Sequence, residues 1–426
     1  MPLSPMSEPI AATETGPQMN RSVSVPHGLP MQRDAGPFDP PSEITRLREV
    51  RPVSPMLFPD GHEGWLVTGY DAMRALLADT RFSSRLDLGV VHVPYETPGM
   101  PTPTEPSPPI PGMFVAMDPA DHTRLRRKLT GAFTARRMQQ LEGHITDVVA
   151  AQLDRMAQLT PPVDLVAEFA LPVPSLVICE LLGVPYADRE TFQANTARFM
   201  VREQELEEKM SAYGAMTTYL AELVTRKRAE PGDDILSDLA RQDDLGVDEL
   251  TGIAFLLLLA GHETTVNMLG LGTFALLEHP ADLAELRANP ELMPGAVEEL
   301  LRYLSVADIF FRYATEDIEL GGETIPAGST VVVSLLAANR DPARFDDPDS
   351  LDIRRQARGH VSFGHGVHLC LGAQLARIEM RVGFESLLRR FPTLALAVPA
   401  GEVKLRTDMN IYGVHELPVT WTEPAR

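Results

Sequence analysis

The segment around Cys370 constrains the fold more than any other part of the sequence. Residues 363–372 read Phe-Gly-His-Gly-Val-His-Leu-Cys-Leu-Gly, so glycines surround the cysteine. Glycine lets the backbone adopt angles that other residues avoid, and lets it lie close against another group. A helical pattern follows directly, from Leu371 to Phe391. The sequence therefore predicts a tight loop that presents one cysteine at the start of a long helix.

A cysteine in this setting can have three roles. Backbone N–H groups and the helix dipole at a helix N-terminus favour a thiolate, and a thiolate on a glycine loop suits an axial iron ligand of haem. A lone cysteine is more often a small buried core residue. A nucleophilic thiol is the third role, because His365 and His368 are near in sequence, although such neighbours need not meet in space. The surrounding glycines favour the iron ligand.

Composition narrows the classes of partner and compartment. The 426 residues carry a formal net charge of −21, which disfavours nucleic acid and anionic lipid as partners. The two cysteines, Cys179 and Cys370, have no metal-type spacing, and a reducing cytoplasm suits them best. The longest apolar run, Ile253–Ala260, is far shorter than the roughly 20 residues of a membrane span. We therefore expect a cytoplasmic protein that does not bind membranes.

The pattern along the chain predicts a mainly α fold with small β-sheets. Residues 1–30 are expected to form a flexible tail, and residues 31–426 a single domain. Helical periodicity dominates from Asp121 to about Leu277, and a hairpin is predicted over 317–325. Further strands are predicted at Gly64–Thr68 and Thr330–Leu335. The Pro-dense segment 94–111 is either a functional loop or a disordered insertion.

The cysteine segment resembles the haem-binding loop of the cytochrome P-450 family. Phe363, Gly366, His368, Cys370 and Gly372 match it position by position, and the resemblance to soluble bacterial members extends over roughly residues 30 to 422. It implies the cytochrome P-450 fold, with haem b buried between a long distal helix and this proximal loop. Cys370 would be the iron ligand, and backbone N–H groups just after it would soften the sulfur charge. No Cys-x-x-Cys-His motif is present, so the haem would be non-covalent.

The second informative segment is Ala260-Gly-His-Glu-Thr-Thr265, which interrupts an apolar helix. Gly261 costs about 1 kcal/mol of helix stability, and Glu263 is expensive to bury without a partner. Such a segment could simply face solvent, or Thr264 could bond its own backbone. By resemblance it is the oxygen-activation segment, with Ala260, Gly261, Glu263 and Thr264 as catalytic residues. Gly261 would let the helix open beside the haem, while Glu263 and Thr264 would relay protons to dioxygen.

Other charged residues gain a role only through the resemblance. Glu299 and Arg302 are three residues apart, so a helix places them on one face. The family implies a buried structural clamp for them. Alone, the cationic and hydrogen-bonding residues would be expected at the surface. The resemblance implies that charge-assisted hydrogen bonds from four of them hold the haem propionates: His122, Arg126, Arg312 and His360.

The resemblance also implies a reaction and partners. The reaction is insertion of one oxygen atom of O2 into a lipophilic small molecule, typical of the tailoring of antibiotics or other secondary metabolites. Electrons would come from NAD(P)H through a ferredoxin reductase and a ferredoxin. A local basic cluster is either a ferredoxin docking patch or a solvated helix face: Arg124, Arg127, Lys128, Arg136 and Arg137. The predicted substrate pocket comprises Leu257, Leu258, Val306, Ile309, Phe310 and Ile411.

Three other functions remain open from the sequence. One is a haem-thiolate binding or sensing protein without turnover. Another is an enzyme without haem that uses Cys370 as a nucleophile, which a haem assay on the purified protein would identify. Within the haem class, carbon–carbon coupling or cleavage is also compatible with these motifs.

Overall fold

The structure is a computed structural model that describes residues 25–85, 87–88, 105–202 and 204–422. Residues 1–24 of the predicted tail and residues 94–104 of the Pro-dense segment lie outside the described residues. The predicted flexible tail, residues 1–30, includes residues that are packed against the folded domain. The backbone N–H of Gly28 donates to Leu57 O at 2.7 Å, that of Leu57 donates to Pro26 O at 3.0 Å, and Leu29 is buried. Residues 26–29 therefore belong to the folded domain.

Helices make up most of the described chain, as the sequence predicts. The long helix α9 lies at the centre and contacts α5, α7, α11 and α13. Together they bury one large apolar core. The α-helices are α1 (Ser42–Val50), α2 (Tyr70–Ala78), α3 (Pro119–Thr130), α4 (Ala135–Met156), α5 (Pro172–Leu182), α6 (Arg189–Met200), α7 (Leu206–Ala229), α8 (Ile235–Ala240), α9 (Val247–Glu278), α10 (Pro280–Ala288), α11 (Met293–Leu304), α12 (Leu335–Asn339) and α13 (Ala373–Arg390).

The described residues also form three small sheets. The largest has the strand order β1-β2-β8-β5-β3, in which only the β2–β8 pair is parallel. The other sheets have the orders β4-β10-β9 and β6-β7. The strands are β1 (Val53–Leu57), β2 (Glu63–Val67), β3 (Phe82–Ser83), β4 (Val163–Asp164), β5 (Ile309–Ala314), β6 (Ile318–Leu320), β7 (Glu323–Ile325), β8 (Thr330–Ser334), β9 (Ala395–Leu396) and β10 (Pro418–Thr420).

The local patterns predicted these elements closely. The hairpin β6–β7 turns at Gly321 and Gly322, which both have positive φ angles of 59° and 85°. Glycine adopts this region without steric cost. The helix predicted from Leu371 begins two residues later, because Gly372 is its N-cap and Ala373 its first residue.

Helix α9 is long and apolar enough to cross a membrane by length and composition alone, which the sequence interpretation did not expect. However, 72% of its most apolar window is buried inside the protein. A helix that is apolar on all sides is typical of the core of a large domain as well as of a membrane span. The packing of four helices around α9 identifies it as the core helix.

Glu299 and Arg302 form the predicted buried pair on α11. Arg302 Nε and Nη2 donate to the two carboxylate oxygens of Glu299 at 2.7 and 2.8 Å, and both side chains are fully buried. The second guanidinium edge donates to Asn339 O at 2.9 Å and Pro348 O at 2.7 Å. Arg355 Nε adds a bond of 3.1 Å to Glu299. The pair therefore ties α11 to the chain that leads into the cysteine loop.

Replacing Arg302 tests this clamp. Arg302→Ala leaves the Glu299 carboxylate buried with only Arg355 as a charged partner, so we expect the free energy of unfolding to fall by about 3–5 kcal/mol. Arg46→Ala is the matched control, because it breaks an exposed i,i+3 pair with Glu43, which is worth less than about 1 kcal/mol. Urea unfolding followed by circular dichroism measures both. Equal losses in the two variants would contradict a clamp role.

Candidate active site

A large, mainly apolar cavity of about 400 Å³ lies between α9 and the loop that carries Cys370. Its walls come from α9, the start of α13, strand β5 with the residues before it, and the C-terminal segment near Ile411. Three of the lining residues are carboxylic acids: Glu263, Asp308 and Glu379. The cavity therefore combines apolar walls with a few polar groups, which is typical of a small-molecule site.

The predicted catalytic segment of α9 lines one side of the cavity. Ala260, Gly261, Glu263 and Thr264 all face it. Helix α9 is continuous through Gly261, so the predicted local opening of the helix is not present. Packing explains the glycine at position 261, because a Cβ there would lie 2.9 Å from Cδ1 of Ile178 on α5. The glycine allows α5 and α9 to approach closely beside the cavity.

The polar groups of this segment have defined partners. The Thr264 hydroxyl donates to Ala260 O one turn earlier, at 2.7 Å. Glu263 is buried, and its Oε2 accepts a bond of 2.9 Å from Arg406 Nη2. Burial acts to raise the pKa of Glu263, but the nearby His262 ring and the Arg406 guanidinium outweigh it, so the net pKa is below the ordinary value. Glu263 is thus an ionised, ion-paired acid at neutral pH.

Cys370 faces the same cavity from the opposite side. Its backbone N–H donates to Phe363 O at 2.9 Å, which closes the loop. Gly364 and Gly366 have positive φ angles of 74° and 73°. A Cβ at Gly366 would lie 2.4 Å from Leu77 O. Gly366, predicted as a cofactor-binding residue, is not among the lining residues, and its role is to let the loop pack against α2.

The charge state of Cys370 differs from the sequence expectation. Burial raises the pKa of its thiol, while a hydrogen bond from the Gly372 N–H and the positive charges of Arg126 and Arg377 act in the opposite direction without overcoming it. The helix dipole alone therefore does not produce a thiolate. A bound metal cation would, because it deprotonates a coordinating thiol.

Five basic residues line the cavity, and His368 interacts electrostatically with three of the others, so that four form one cluster near Cys370: His122, Arg126, Arg312 and His368. The rings of His122 and His368 are 4.2 Å apart, and Ser84 Oγ lies 3.1 Å from His368 Nε2. Burial, followed by the charges of Arg312, His122 and Arg126, lowers the pKa of His368 to about 3. Burial also lowers the pKa of Arg312 to about 10. Burial therefore disfavours the charged forms of both groups, and neighbouring cations add to this effect in His368.

This cluster fits the carboxylates of haem. Both ring nitrogens of His122 are buried and lack a hydrogen-bond partner among the described residues. Arg126 and Arg312 have hydrogen bonds only to the backbone carbonyls of Leu369 and Phe311 within the described chain. Anions beside these groups would satisfy the orphaned donors and relieve the repulsion. A cavity with a thiol on one wall and unneutralised cations at its edge suits a flat dianionic cofactor.

His360 is not brought to this cluster, so the prediction that it holds a propionate is wrong. Its Nε2 lies 3.1 Å from Glu298 Oε2, and Arg377 Nη2 donates to the same oxygen at 3.0 Å. Burial acts to raise the pKa of Glu298, but the bonds from His360 and Arg377 dominate and lower it to about 2. Arg377 also lies over the ring of Phe363, 4.6 Å from its centre. His360 therefore helps to fix the loop that carries Cys370.

The predicted pocket residues are mostly in the cavity wall. Leu257, Val306, Ile309, Phe310 and Ile411 line it. Leu258 was predicted wrongly, because it points into the core and is fully buried there. Phe363, His368 and Gly372, predicted to bind the cofactor, also line the cavity. The sequence interpretation missed further wall residues, for which it had no periodic signal: Leu77, Phe114, Val115, Ile178, Met200, Leu256, Leu259, Met268, Leu301 and Asn410.

The predicted basic docking patch is largely neutralised within the protein. Arg124 pairs with Glu249, Lys128 Nζ lies 2.7 Å from Asp244, and Arg137 lies 3.7 Å from Asp238. Arg127 and Arg136 are exposed and have no ion pair in the described chain. The patch therefore presents less positive charge than its sequence indicates.

Glu379 on α13 is the acid that the sequence interpretation missed. It is buried, it lines the cavity, and its Oε2 has no hydrogen-bond partner among the described residues. Burial raises its pKa to about 8, against a small opposing effect of a hydrogen bond with Thr265. At neutral pH Glu379 is therefore mostly protonated. In sequence it is one glutamate in an ordinary helical pattern, so nothing there distinguishes it.

A family model, curated relatives and solved structures all indicate the same protein family for this chain. Residues 223–417 match the family model described as cytochrome P450. The chain is 50% identical to cytochrome P450 105C1 of a Streptomyces species, over 90% of this chain and 96% of that one. It is 48% identical to pentalenic acid synthase of Streptomyces avermitilis, over 94% and 98%. Its fold is similar to that of the crystallised mycinamicin VIII C21 methyl hydroxylase MycCI of Micromonospora griseorubida, with a TM-score of 0.86, 38% identity, and 93% and 100% coverage.

Removing the Glu379 carboxyl tests its protonation. The folded-state pKa lies above the ordinary value of 4.5, so the folded protein binds a proton that the unfolded chain releases. The wild type should then lose stability as pH rises from about 4.5 towards 8, by up to about 1.4 kcal/mol per pH unit. Glu379→Gln should flatten that slope, while Glu379→Asp, which keeps a carboxyl, should retain it. Urea unfolding across this pH range decides, and equal slopes in the wild type and Glu379→Gln would refute the assignment.

Proposed function

Because the chain belongs to the cytochrome P450 family, we propose that Cys370 is the thiolate ligand of a haem b held in the described cavity. The chain is a haem-thiolate monooxygenase of the bacterial type. The observation that carries the residue assignment is the pairing of the Cys370 thiol with four unneutralised basic side chains at one end of the same cavity. Those are the two features that an iron porphyrin with two carboxylates requires.

The residues around the cavity have distinct tasks in this proposal. When bound, haem supplies the centre at which dioxygen is reduced and activated. His122, Arg126, Arg312 and His368 bind and orient its carboxylates. The apolar walls exclude bulk water, so protons reach the centre through defined groups. The overall balance is RH + O2 + 2e⁻ + 2H⁺ → ROH + H2O, which requires two protons for each turnover.

Thr264 and Glu263 are the groups that we assign to proton delivery. They are neighbours on α9, both line the cavity, and Glu263 is ionised at neutral pH. A carboxylate can accept a proton and pass it on, and a hydroxyl can both accept and donate. Thr264 now donates to Ala260 O, so its hydroxyl must rotate away from that carbonyl to donate into the cavity.

The substrate proposal rests on the walls and on the relatives. The enzyme takes dioxygen and a lipophilic substrate. One relative, 48% identical, is named pentalenic acid synthase, and the mycinamicin VIII hydroxylase MycCI was crystallised with mycinamicin VIII. We therefore propose a lipophilic secondary metabolite as substrate, which is hydroxylated or epoxidised in a cytoplasmic tailoring step.

Electrons are proposed to arrive from NAD(P)H through a ferredoxin reductase and an acidic ferredoxin. The ferredoxin would dock near the exposed residues Arg127 and Arg136. Arg127 follows Arg126 on α3, and Arg126 bonds Leu369 O of the cysteine loop, while Arg136 is in the first turn of α4. Because the other three cations of the cluster are paired internally, we expect steering by charge to be modest.

The carbon monoxide spectrum tests the iron ligand. Purified, reduced protein exposed to carbon monoxide should give the red-shifted Soret band of thiolate coordination. Cys370→Ser should lose that band, because an alcohol oxygen replaces the sulfur. Cys179→Ser is the control, since Cys179 is buried in the core on α5, and it should keep the band. Loss of the band in both variants, or in neither, would overturn the assignment.

Replacing Thr264 tests proton delivery and separates an oxygenase from a sensor. With a lipophilic metabolite selected by its spectral shift, Thr264→Ala should divert electrons to peroxide and lower product formation by roughly 10²-fold. Thr273→Ala is the matched control, because Thr273 on the same helix also donates to the carbonyl four residues earlier, at 2.7 Å, but is buried away from the cavity. Peroxide and product per NADPH are measured. A Thr264→Ala enzyme that forms product like the control would contradict the role of this hydroxyl.

A further inference from the structure

The acid on α9 is bound to a residue 143 positions later in the chain. Arg406 Nη2 donates to Glu263 Oε2 at 2.9 Å, and both residues are at least nine-tenths buried. Removing two charges from water costs free energy, which their mutual attraction offsets only when the hydrogen-bond geometry is good. Breaking such a pair leaves an uncompensated buried charge. This bond is therefore a strong constraint on where the Glu263 carboxylate can lie.

Arg406 belongs to a segment that also forms part of the cavity wall. Asn410 and Ile411 of residues 406–413, which we call the C-terminal segment, line the cavity. The backbone N–H of Arg406 donates to Gly413 O at 2.9 Å, so the segment closes on itself. Tyr412 N donates to Val306 O at 3.1 Å, which joins it to the wall before β5. An occupant that presses on Asn410 or Ile411 therefore acts on the segment that carries Arg406.

The same segment is attached to the end of α6. Asn410 N donates to Met200 O at 3.3 Å, and Arg202 N donates to Asp408 O at 2.7 Å. Met200 is the last residue of α6 and itself lines the cavity. Movement of either wall residue is thus transmitted through backbone hydrogen bonds to the segment that holds the acid.

Two groups in the described chain act electrostatically on Glu263. His262 is its neighbour on α9, with Nδ1 3.6 Å from Glu263 Oε1, and Arg406 comes from the C-terminal segment. Burial alone acts to raise the pKa of Glu263, and these two groups reverse that effect. Without the Arg406 guanidinium the pKa of Glu263 would rise, which favours the protonated, neutral acid.

We propose that Arg406 is a positioning residue for Glu263, and that the C-terminal segment couples the occupant of the cavity to the acid that delivers protons. The proposal rests on the proposed function of Glu263. Arg406 donates to Oε2 at 2.9 Å, whereas Oε1 lies 3.6 Å from His262 Nδ1, so the Arg406 bond is the shorter contact that positions the carboxylate. When an occupant shifts the segment, the Arg406 bond lengthens or shortens and the readiness of Glu263 to accept a proton changes with it.

The first test measures occupancy in the ferric enzyme without turnover. The probe is 4-phenylimidazole, which binds haem iron through its imidazole nitrogen and fills the adjoining space. Its Kd is read from the spectral shift for the wild type, Arg406→Gln, Glu263→Gln and the double variant. Coupled sites affect each other reciprocally, so Arg406→Gln should change the Kd by about fivefold or more in the presence of Glu263. In the Glu263→Gln background the same change should be less than about twofold.

The second test follows protons. Peroxide formation without added substrate, O2 + 2e⁻ + 2H⁺ → H2O2, is measured against pH with a surrogate ferredoxin and reductase. Arg406→Gln should move the midpoint of this profile to higher pH, because Glu263 loses the cation that favours its ionised form. Arg406→Lys should move it in the same direction by less, and it carries the test alone if Arg406→Gln does not fold.

Lys404→Gln is the matched control for both tests. Lys404 lies just before the C-terminal segment in an exposed pair with Glu416 at 3.1 Å, so it loses the same charge without contact with the cavity. It should behave as the wild type. Equal effects of Arg406→Gln with and without Glu263, or wild-type pH profiles in both Arg406 variants, overturn the proposal. The carbon monoxide spectrum of the reduced protein is recorded for every variant. If the wild type lacks the thiolate band, the proposed function is overturned. If the band is present but the effects of Arg406→Gln and Glu263→Gln on the Kd are additive, only this inference is overturned.

Discussion

The confinement of four basic side chains in the mainly apolar cavity beside Cys370 is the constraint on which the rest of the structure depends. Burial lowers the pKa of both His368 and Arg312, and in His368 the charges of Arg312, His122 and Arg126 add to the shift, so the site disfavours positive charge on these groups as long as no anion is beside them. Two carboxylates of a bound cofactor would offset this unfavourable electrostatic free energy by charge-assisted hydrogen bonds. Groups with shifted pKa values of this kind are typical of functional sites. The clamp between Glu299 and Arg302 and the packing of Gly366 on α2 hold the loop and the surrounding backbone in the geometry that this site needs.

Two of the three acids that line the cavity, Glu263 and Glu379, have opposite charge states at neutral pH. Glu263 is paired with Arg406 and ionised, while Glu379 has no cation near it in the described chain and is mostly protonated at neutral pH. Two carboxyl groups whose pKa values are pushed apart can play different parts in one reaction. The structure therefore provides one group ready to accept a proton and another that already holds one, on two different helices.

Sequence reasoning succeeded where the signal is local and failed where the answer depends on contacts between distant elements. The glycines around Cys370, the Gly321-Gly322 turn and the three-residue spacing of Glu299 and Arg302 are local, and the structure has the predicted loop, hairpin and ion pair. The burial of that pair was implied by the family resemblance, because the spacing alone predicts only a shared helix face. By contrast, His360 contacts Glu298 and lies outside the cavity. Leu258 faces the core: α9 is packed by other helices on all sides, so its sequence has no polar face from which the direction of each residue could be predicted. Arg406 and Glu379 carry no local mark, since their importance arises only from burial opposite α9.

The close contact of α5 and α9 at Gly261 has a practical consequence for reshaping the cavity. Ile178 fills the space that a side chain at position 261 would need, and it also lines the cavity. Enlarging residue 261 would push the two helices apart, whereas shortening Ile178 would open volume while leaving the backbone of α9 in place. The volume of the cavity can therefore be changed at position 178, whereas position 261 is restricted to glycine by the close contact of the two helices.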